Sequence, residues 1–242
     1  MLKTIFFDIG GTLIHPDMGL LMSPLLARLQ PSPQQLAAAD RAAKHAGRDG
    51  AAASSRPGAP GYAPNRGHWS LYFETLLRVT GAGEDLLPEL TARAGDSSYW
   101  TLVDPDAAAT LEELRLRYRL AVISNADGKI RAVLERGGLA RYFEAIVDSG
   151  CVGVEKPDRR IFQAGLQAMQ AEARESLYVG DIYGIDFCGA TAAGMCALLL
   201  DPDEVYAGWD AQRIARLKEL PGWLESQPAQ IETQAAVPGS KS

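Results

Sequence analysis

Continuous apolar runs alternate with amphipathic segments along most of the chain. The runs are Thr4–Phe7, Leu120–Ile123, Ala145–Val147, Leu177–Val179 and Cys196–Leu200. Because they do not alternate with polar residues, these runs are typical of strands buried on both faces of a parallel sheet. The segments between the later runs place apolar residues three and four positions apart, which is the spacing of a helix with one buried face. The pattern predicts an α/β fold with a doubly wound parallel sheet.

The stretch between the first two runs has a different pattern. It is mostly helical in character, with an Ala-rich segment at Leu36–Ala46 and an amphipathic segment at Trp69–Val79. Asp49–Arg66, between them, is rich in Gly, Ala, Pro and Ser, which favours a loop. The predicted organisation is a core domain of residues 1–16 and 104–225, a helical cap of residues 17–103, a flexible loop near residues 49–66 and a disordered tail of residues 226–242.

Composition and charge disfavour several classes of function. Of the 242 residues, 47% are hydrophobic and 22% are charged, as in an ordinary globular protein. The formal net charge of -6 argues against a nucleic-acid partner, since an acidic surface repels phosphate backbones. No apolar run approaches the roughly 18 residues of a membrane span, and the first run ends at Asp8, too early for a secretory signal. With only 3 cysteines, we expect a cytoplasmic protein without a membrane or nucleic-acid partner, as a monomer or a homodimer.

Polar residues follow the apolar runs where ligands usually bind. Asp8, Ser124 and Asp181 stand at or just after the ends of three runs, and Lys156 lies just before a predicted helix. Any one of the three alone is at least as well explained as a helix N-cap. Ligands of open parallel sheets bind at the carboxyl ends of the strands. Two carboxylates, a hydroxyl and an ammonium at that edge therefore indicate a site for a metal ion and an anion.

Four segments carry these residues in a fixed order. They are Phe6–Leu13 (FFDIGGTL), Ile123–Asn125 (ISN), Val154–Phe162 (VEKPDRRIF) and Tyr178–Gly194 (YVGDIYGIDFCGATAAG). In order and spacing they resemble the four motifs of the haloacid dehalogenase-like (HAD) hydrolases. The helical insertion between the first and second motifs matches the subgroup that carries its cap there.

The resemblance implies a reaction and a set of site residues. Asp8 matches the nucleophile that forms an aspartyl-phosphate in Mg²⁺-dependent phosphatases of this family, which act on small phosphorylated metabolites. Positioning and charge stabilisation dominate such phosphoryl transfer. The implied metal ligands are Asp8, the backbone carbonyl of Gly10, Asp181 and, more remotely, Asp186. The implied phosphate-binding residues are Gly11, Thr12, Ser124, Asn125 and Lys156.

One position departs from the family pattern. The second acidic residue of the first motif, which protonates the leaving alkoxide and activates water, is replaced by Gly10. Losing a general acid–base group costs about 10²–10⁴ in rate. Three interpretations stay open: a phosphatase whose leaving group needs no protonation, a dehalogenase- or phosphonatase-like hydrolase, and an impaired phosphate-ligand or partner-binding protein. Lys44, the only lysine of the predicted cap, is the candidate Schiff-base residue for a phosphonatase, although a solvated helix face explains it better.

A few further residues near the site are weaker candidates. Arg66 and His68, at the edge of the predicted loop, could contact substrate. Trp69 and Tyr72 are better explained as packing inside the cap. His15 and Asp17, downstream of the first motif, are interpreted as surface-loop residues.

Overall fold

A six-stranded parallel sheet forms the centre of the molecule. The computed structural model describes the backbone of residues 1–54 and 64–226, and side chains within these ranges except residues 48–67. The strands are β1 (Thr4–Phe7), β2 (Ile14–Pro16), β3 (Trp100–Val103), β4 (Arg119–Ser124), β5 (Ala145–Asp148), β6 (Ser176–Gly180), β7 (Cys196–Leu200) and β8 (Arg213–Ile214). The sheet has the order β5-β4-β1-β6-β7-β8, and its neighbours all pair in parallel. The predicted α/β fold is confirmed, and all five apolar runs are strands of this sheet. The two-residue β8 is too short to leave a pattern in the sequence.

Helices cover both faces of the sheet. The α-helices of the described residues are α1 (Met18–Leu21), α2 (Ser23–Leu29), α3 (Pro33–Ser54), α4 (Pro64–Thr80), α5 (Leu87–Ala94), α6 (Ala107–Leu114), α7 (Ile130–Arg136), α8 (Ser149–Val152), α9 (Arg159–Met169), α10 (Cys188–Ala192) and α11 (Leu220–Ser226). Successive side chains of a strand point to opposite faces. Ile5 and Phe7 therefore join the apolar cluster of α6, α7 and α11, whereas Phe6 joins that of α9 and α10. Continuous apolar runs are required because both faces are buried.

Helices α1 to α5, which we call the cap, have an apolar cluster of their own. Leu25, Phe73, Leu76 and Leu90 are fully buried in it. The cluster includes Tyr72, with Trp69 packed against it, as expected from the sequence. The helices of the cap thus share one buried apolar cluster, and the division of the chain into core and cap stays a prediction.

The connection between α3 and α4 differs from the prediction. α3 continues to Ser54 and α4 begins at Pro64, so the prediction of a loop is wrong over residues 49–54 and 64–66. Ala51–Ala53 extend α3 because alanine has the highest helix propensity. The rest of that predicted loop, residues 55–63, and the predicted tail from residue 227 onward lie outside the described residues.

A two-stranded antiparallel ribbon, β2 with β3, lies where the cap meets the core. Ile14 pairs with Val103 and Pro16 with Trp100. Although the sequence pattern assigns residues 17–103 to the cap, Trp100 and Val103 pack against the apolar cluster of the core. Strands this short give no readable alternation. The ribbon places Trp100 directly beside the first motif.

Candidate active site

The carboxyl ends of β1, β4 and β6 bring the predicted site residues together. Asp8 follows β1 and is buried, as are Ser124 at the end of β4 and Lys156. The Ser124 hydroxyl donates a hydrogen bond of 2.8 Å to Oδ1 of Asp8. The Lys156 ammonium lies 2.8 Å from the same oxygen. These residues therefore surround one carboxylate, as the strand-end pattern predicts.

Lys156 is a fully buried cation, with only 1% of its surface exposed. Nζ lies 2.7 Å from Oδ1 of Asp186 and donates a 2.8 Å hydrogen bond to the Tyr178 hydroxyl. Burial by itself lowers the pKa of Lys156, but the charges of Asp186 and Asp8 outweigh it and raise that pKa. The ammonium therefore stays charged.

Tyr178 is a site residue that sequence reasoning missed. Its hydroxyl accepts from Lys156 and donates a 2.7 Å hydrogen bond to the carbonyl oxygen of Ile123. In the sequence it is one more apolar residue of a buried strand. Only the pairing of β6 beside β1, which lies next to β4, shows that its hydroxyl reaches Lys156.

Two polar side chains hold the loops of the site in place. Oδ2 of Asp186 accepts hydrogen bonds from the backbone N–H groups of Asp181 and Ile182, at 3.1 and 2.9 Å. The Asn125 side chain accepts from the backbone N–H of Lys156 at 2.7 Å and donates to its carbonyl oxygen at 2.9 Å. Asn125 thus positions Lys156, and its predicted contact with phosphate stays a prediction.

The acidic residues fit a divalent cation bound by oxygen atoms. Asp8, Asp181 and Asp186 each offer a carboxylate oxygen, and these oxygens lie within 4.8 Å of one another. Oδ1 of Asp181 is buried and has no hydrogen-bond partner within the part of the chain that the structure describes. Burial and the charges of Asp186 and Asp8 raise the pKa of Asp181 well above its usual range. Burial likewise raises the pKa of Asp8, against the opposing charge of Lys156. Hard cations such as Mg²⁺ prefer this donor set.

Residue 11 must be glycine because the carboxylate of Asp181 lies very close to its backbone. Its φ of 78° lies in the left-handed region, and a Cβ atom there would stand 2.2 Å from Oδ2 of Asp181. Only glycine adopts this backbone conformation readily and also leaves room for the carboxylate, because it has no Cβ atom.

The indole ring of Trp100 lies against Gly10, the residue at which the first motif departs from the family pattern. A Cβ atom on Gly10 would lie 2.9 Å from Cζ3 of Trp100. The ring is held by a 2.9 Å hydrogen bond from Nε1 of Trp100 to the carbonyl oxygen of Ala94. The space that a side chain at residue 10 would need is therefore filled by Trp100.

Comparisons with known proteins identify the family. A profile described as haloacid dehalogenase-like hydrolase matches residues 2–194. The chain belongs to this family. The haloacid dehalogenase-like hydrolase domain-containing protein 3 of Bos taurus is 38% identical over 130 residues, which cover 53% of this chain and 51% of that protein. The glyceraldehyde 3-phosphate phosphatase of Methanothermobacter thermautotrophicus is 40% identical over 101 residues, covering 41% and 45%. The chain thus spans about half the length of the curated relatives it matches.

Solved HAD structures share the whole architecture. The magnesium-bound HAD-hydrolase YfnB of Bacillus subtilis superposes with a TM-score of 0.62 at 19% identity, over 93% of this chain and 99% of that one. At this identity the likeness shows the fold alone. Within the described part of this HAD chain, no helix combines the length and hydropathy needed to cross a membrane.

A cavity of about 1330 Å³ separates the cap of this HAD chain from its core. Asp8, Gly10, Gly11, Ser124, Asn125, Lys156, Asp181 and Asp186 line it from the core side. From the cap side it is lined by His68, Trp69, Thr91 and others. Thr12, predicted to bind phosphate, is fully buried and does not line the cavity.

The weaker candidates are placed as follows. Nε2 of His15 lies 3.3 Å from Oδ2 of Asp104, and His15 lines the cavity, so it is more than a surface-loop residue. The Asp17 side chain caps α1 by accepting from the N–H of Leu20. The side chain of Arg66 lies outside the described residues.

Lys44 is held by ion pairs. Its ammonium lies 2.6 Å from Oδ2 of Asp203 in the core and 3.0 Å from Oδ2 of Asp40 in the cap. Burial alone lowers the pKa of Lys44, but hydrogen bonds to both carboxylates outweigh it and raise that pKa. Lys44 is therefore neither a simple solvated residue nor the neutral amine that a Schiff base needs.

Proposed function

We propose that this HAD chain is a Mg²⁺-dependent phosphatase that acts on a small phosphorylated metabolite through an aspartyl-phosphate. The observation that carries the proposal is the Asp8 carboxylate, which is buried beside a hydroxyl, an ammonium and two further carboxylates. The similarity to a glyceraldehyde 3-phosphate phosphatase supports the same reaction type.

In the first step, an oxygen of Asp8 attacks phosphorus and the bond from phosphorus to the ester oxygen breaks. Lys156 offsets the repulsion between the Asp8 carboxylate and the incoming phosphate, since its ammonium already touches Asp8. The Ser124 hydroxyl, 2.8 Å from Asp8, can turn its hydrogen bond to a phosphate oxygen. Both groups are positioned before substrate arrives, which is the usual source of such rate enhancement.

The metal would be held by Asp8, Asp181 and the backbone carbonyl of Gly10. Both oxygens of Asp186 already accept hydrogen bonds, so this residue suits a remote, water-mediated contact. When bound, Mg²⁺ supplies positive charge where carboxylate and phosphate would otherwise repel each other.

Protonation of the leaving group is the step for which this site is least well equipped. Gly10 offers no side chain, and the ring of Trp100 fills the space that a side chain would need. Substrates whose leaving group departs as a stable anion are therefore favoured over alkyl phosphates.

The alternatives receive less support. A Schiff-base phosphonatase needs a neutral lysine, which Lys44 is not. A metal-free dehalogenase has no use for the unpaired Oδ1 of Asp181. Impaired catalysis with retained binding is the alternative that Gly10 and Trp100 favour.

Location and assembly complete the proposal. None of the three cysteines, Cys151, Cys188 and Cys196, forms a disulfide bond, which suits the cytoplasm. We keep the monomer or homodimer as a prediction.

The test is phosphate release in Mg²⁺ from p-nitrophenyl phosphate, acetyl phosphate and glycerol 3-phosphate. We expect turnover of the first two to exceed that of glycerol 3-phosphate, and Asp8→Asn to reduce all turnover to the buffer blank. Asp17→Asn is the matched control, because asparagine also caps a helix. Turnover that survives in Asp8→Asn would remove Asp8 as the nucleophile. Folded wild-type protein without turnover would favour the binding protein.

A further inference from the structure

Two cap residues carry buried polar atoms that the protein does not satisfy. Nδ1 of His68 and Oγ1 of Thr91 are buried without a hydrogen-bond partner among the described residues. Both residues line the cavity between cap and core. Buried polar groups in folded proteins are nearly always hydrogen-bonded, so unmet groups in one cavity point to a ligand.

The Thr91 hydroxyl is unusual for a threonine inside a helix. Such hydroxyls commonly donate to the carbonyl one turn earlier. Thr80 in α4 does so, with its hydroxyl 2.8 Å from the carbonyl oxygen of Leu76. The Oγ1 atom of Thr91 in α5 makes no such bond, and the residue lies in the lining of the cavity.

The His68 imidazole is uncharged and closely packed. Burial lowers the pKa of His68 to about 4, although the charge of Asp186 acts in the opposite direction. Its ring lies edge-on to Trp69, with centroids 5.6 Å apart. On the α3 side, a Cβ atom at Gly47 would stand 3.0 Å from Cε1 of His68, so the glycine makes room for the ring. A neutral imidazole can donate one hydrogen bond and accept another.

The charges around the cavity select against a second anionic group. Lys44 and Lys156 are the lysines that line the cavity among the described residues, and carboxylates pair with both. Asp40, Asp127 and Asp203 add further negative charge to the lining. On the leaving-group side, the ring of Trp100 offers an apolar surface.

We propose that His68 and Thr91 form a subsite for the leaving group of a phosphate monoester whose body is uncharged and carries hydroxyl groups. A hydroxyl both donates and accepts, so it pairs with either residue in either direction. A second phosphate or a carboxylate would meet this acidic lining, in which the described residues offer no unpaired lysine or arginine. This inference rests on the proposed function, because it names the substrate class of that same site.

Three phosphate esters of similar size separate the effect of hydroxyl groups on turnover from the effect of a second negative charge. Glycerol 3-phosphate carries hydroxyl groups on both free carbons, and n-propyl phosphate carries none. In 3-phosphoglycerate a carboxylate replaces the terminal hydroxymethyl group. All three are alkyl esters, so the missing proton donor at Gly10 slows them alike. Among them, we expect kcat/KM for glycerol 3-phosphate to be at least about tenfold above that of each of the others. Equal or higher values for either of the others would overturn the inference.

Two nearly isosteric substitutions test the residues. His68→Phe keeps a ring and Thr91→Val keeps the branched shape, while each removes the hydrogen-bonding atoms. We expect each to lower kcat/KM for glycerol 3-phosphate about tenfold and to leave n-propyl phosphate within about twofold. His45→Phe, at an exposed residue of α3, is the matched control. Equal losses on both esters would show a structural role and would also overturn the inference.

The failure of this inference can be told apart from the failure of the proposed function. Turnover of p-nitrophenyl phosphate that depends on Asp8 tests the proposed function by itself. Calorimetric binding of glycerol 3-phosphate to Asp8→Asn protein, with and without His68→Phe, tests the subsite without turnover. Unchanged affinity in the His68→Phe background would overturn the subsite even if the phosphatase is real.

Discussion

At the scale of single residues, the site holds more negative than positive charge. Asp8, Asp181 and Asp186 share one buried ammonium, that of Lys156. Burying charge is costly unless it is paired. This excess of negative charge is the physical reason to expect a cation. Asp181 is the carboxylate left over, since its Oδ1 has no hydrogen-bond partner among the described residues.

A carboxylate introduced at residue 10 should help only those substrates whose leaving group needs a proton. Gly10→Asp alone should lower the melting temperature and should not raise turnover, since the new side chain collides with Trp100. With Trp100→Ala added to make room, turnover of glycerol 3-phosphate should rise about 10²-fold over Trp100→Ala alone. Acetyl phosphate, whose leaving group needs no proton, is the control and should gain far less. A flat response of both esters would show that more than one part of the site is impaired.

The burial of His68 should make the free energy of unfolding depend on pH. Its pKa falls from 6.5 to about 4 on folding, so between these pH values the unfolded chain binds a proton that the folded protein does not. Stability is therefore lost as pH falls from 6.5 to 4, by up to about 3 kcal/mol. Urea unfolding of His68→Gln should lack this part of the pH dependence, whereas His45→Gln should retain it. Identical pH profiles for His68→Gln and wild type would contradict the assigned environment of His68.

At the scale of elements, helix α3 connects the cap to the core. It packs against the turn Tyr183–Phe187 that carries Asp186, and Lys44 reaches Asp203 beyond β7. The Ala-rich stretch Leu36–Ala46 predicts this helix but does not show which loop of the core it meets. The ion pair is half exposed, which limits its worth to about 1 kcal/mol.

The ion pair of Lys44 should act on cap closure more than on folding. Lys44→Met should raise KM about 2–5-fold and change the free energy of unfolding by less than about 1 kcal/mol. Lys44→Arg keeps the charge and should keep the activity, whereas a Schiff-base lysine would lose all activity on this change. Lys3→Met, which breaks the exposed pair with Glu175, is the matched control and should leave KM unchanged. If Lys44→Met has the same KM as wild type, the ion pair of Lys44 has no role in cap closure.

At the scale of the whole molecule, a bound cation should stabilise the fold. A ligand at 100 times its Kd stabilises by about 2.7 kcal/mol, so Mg²⁺ should raise the melting temperature and EDTA should reverse this. Asp181→Asn should abolish the increase. The metal-free variant should be at least as stable as metal-free wild type, because one of the repelling carboxylates is gone. The same response to Mg²⁺ in Asp181→Asn and in Asp17→Asn would place the cation elsewhere.

The amino-acid sequence is enough to predict a parallel sheet, five of its strands, the order of the motifs and the polar residues at the strand ends. Continuous apolar runs are local signals, and the topology of a parallel sheet sends Asp8, Ser124 and Asp181 to one edge. The tertiary structure decided which groups pair across long separations. Tyr178 reaches Lys156, Trp100 covers Gly10, and Lys44 finds Asp203. These contacts depend on side-chain packing between elements that are far apart in the chain, and no periodicity within a single segment encodes them.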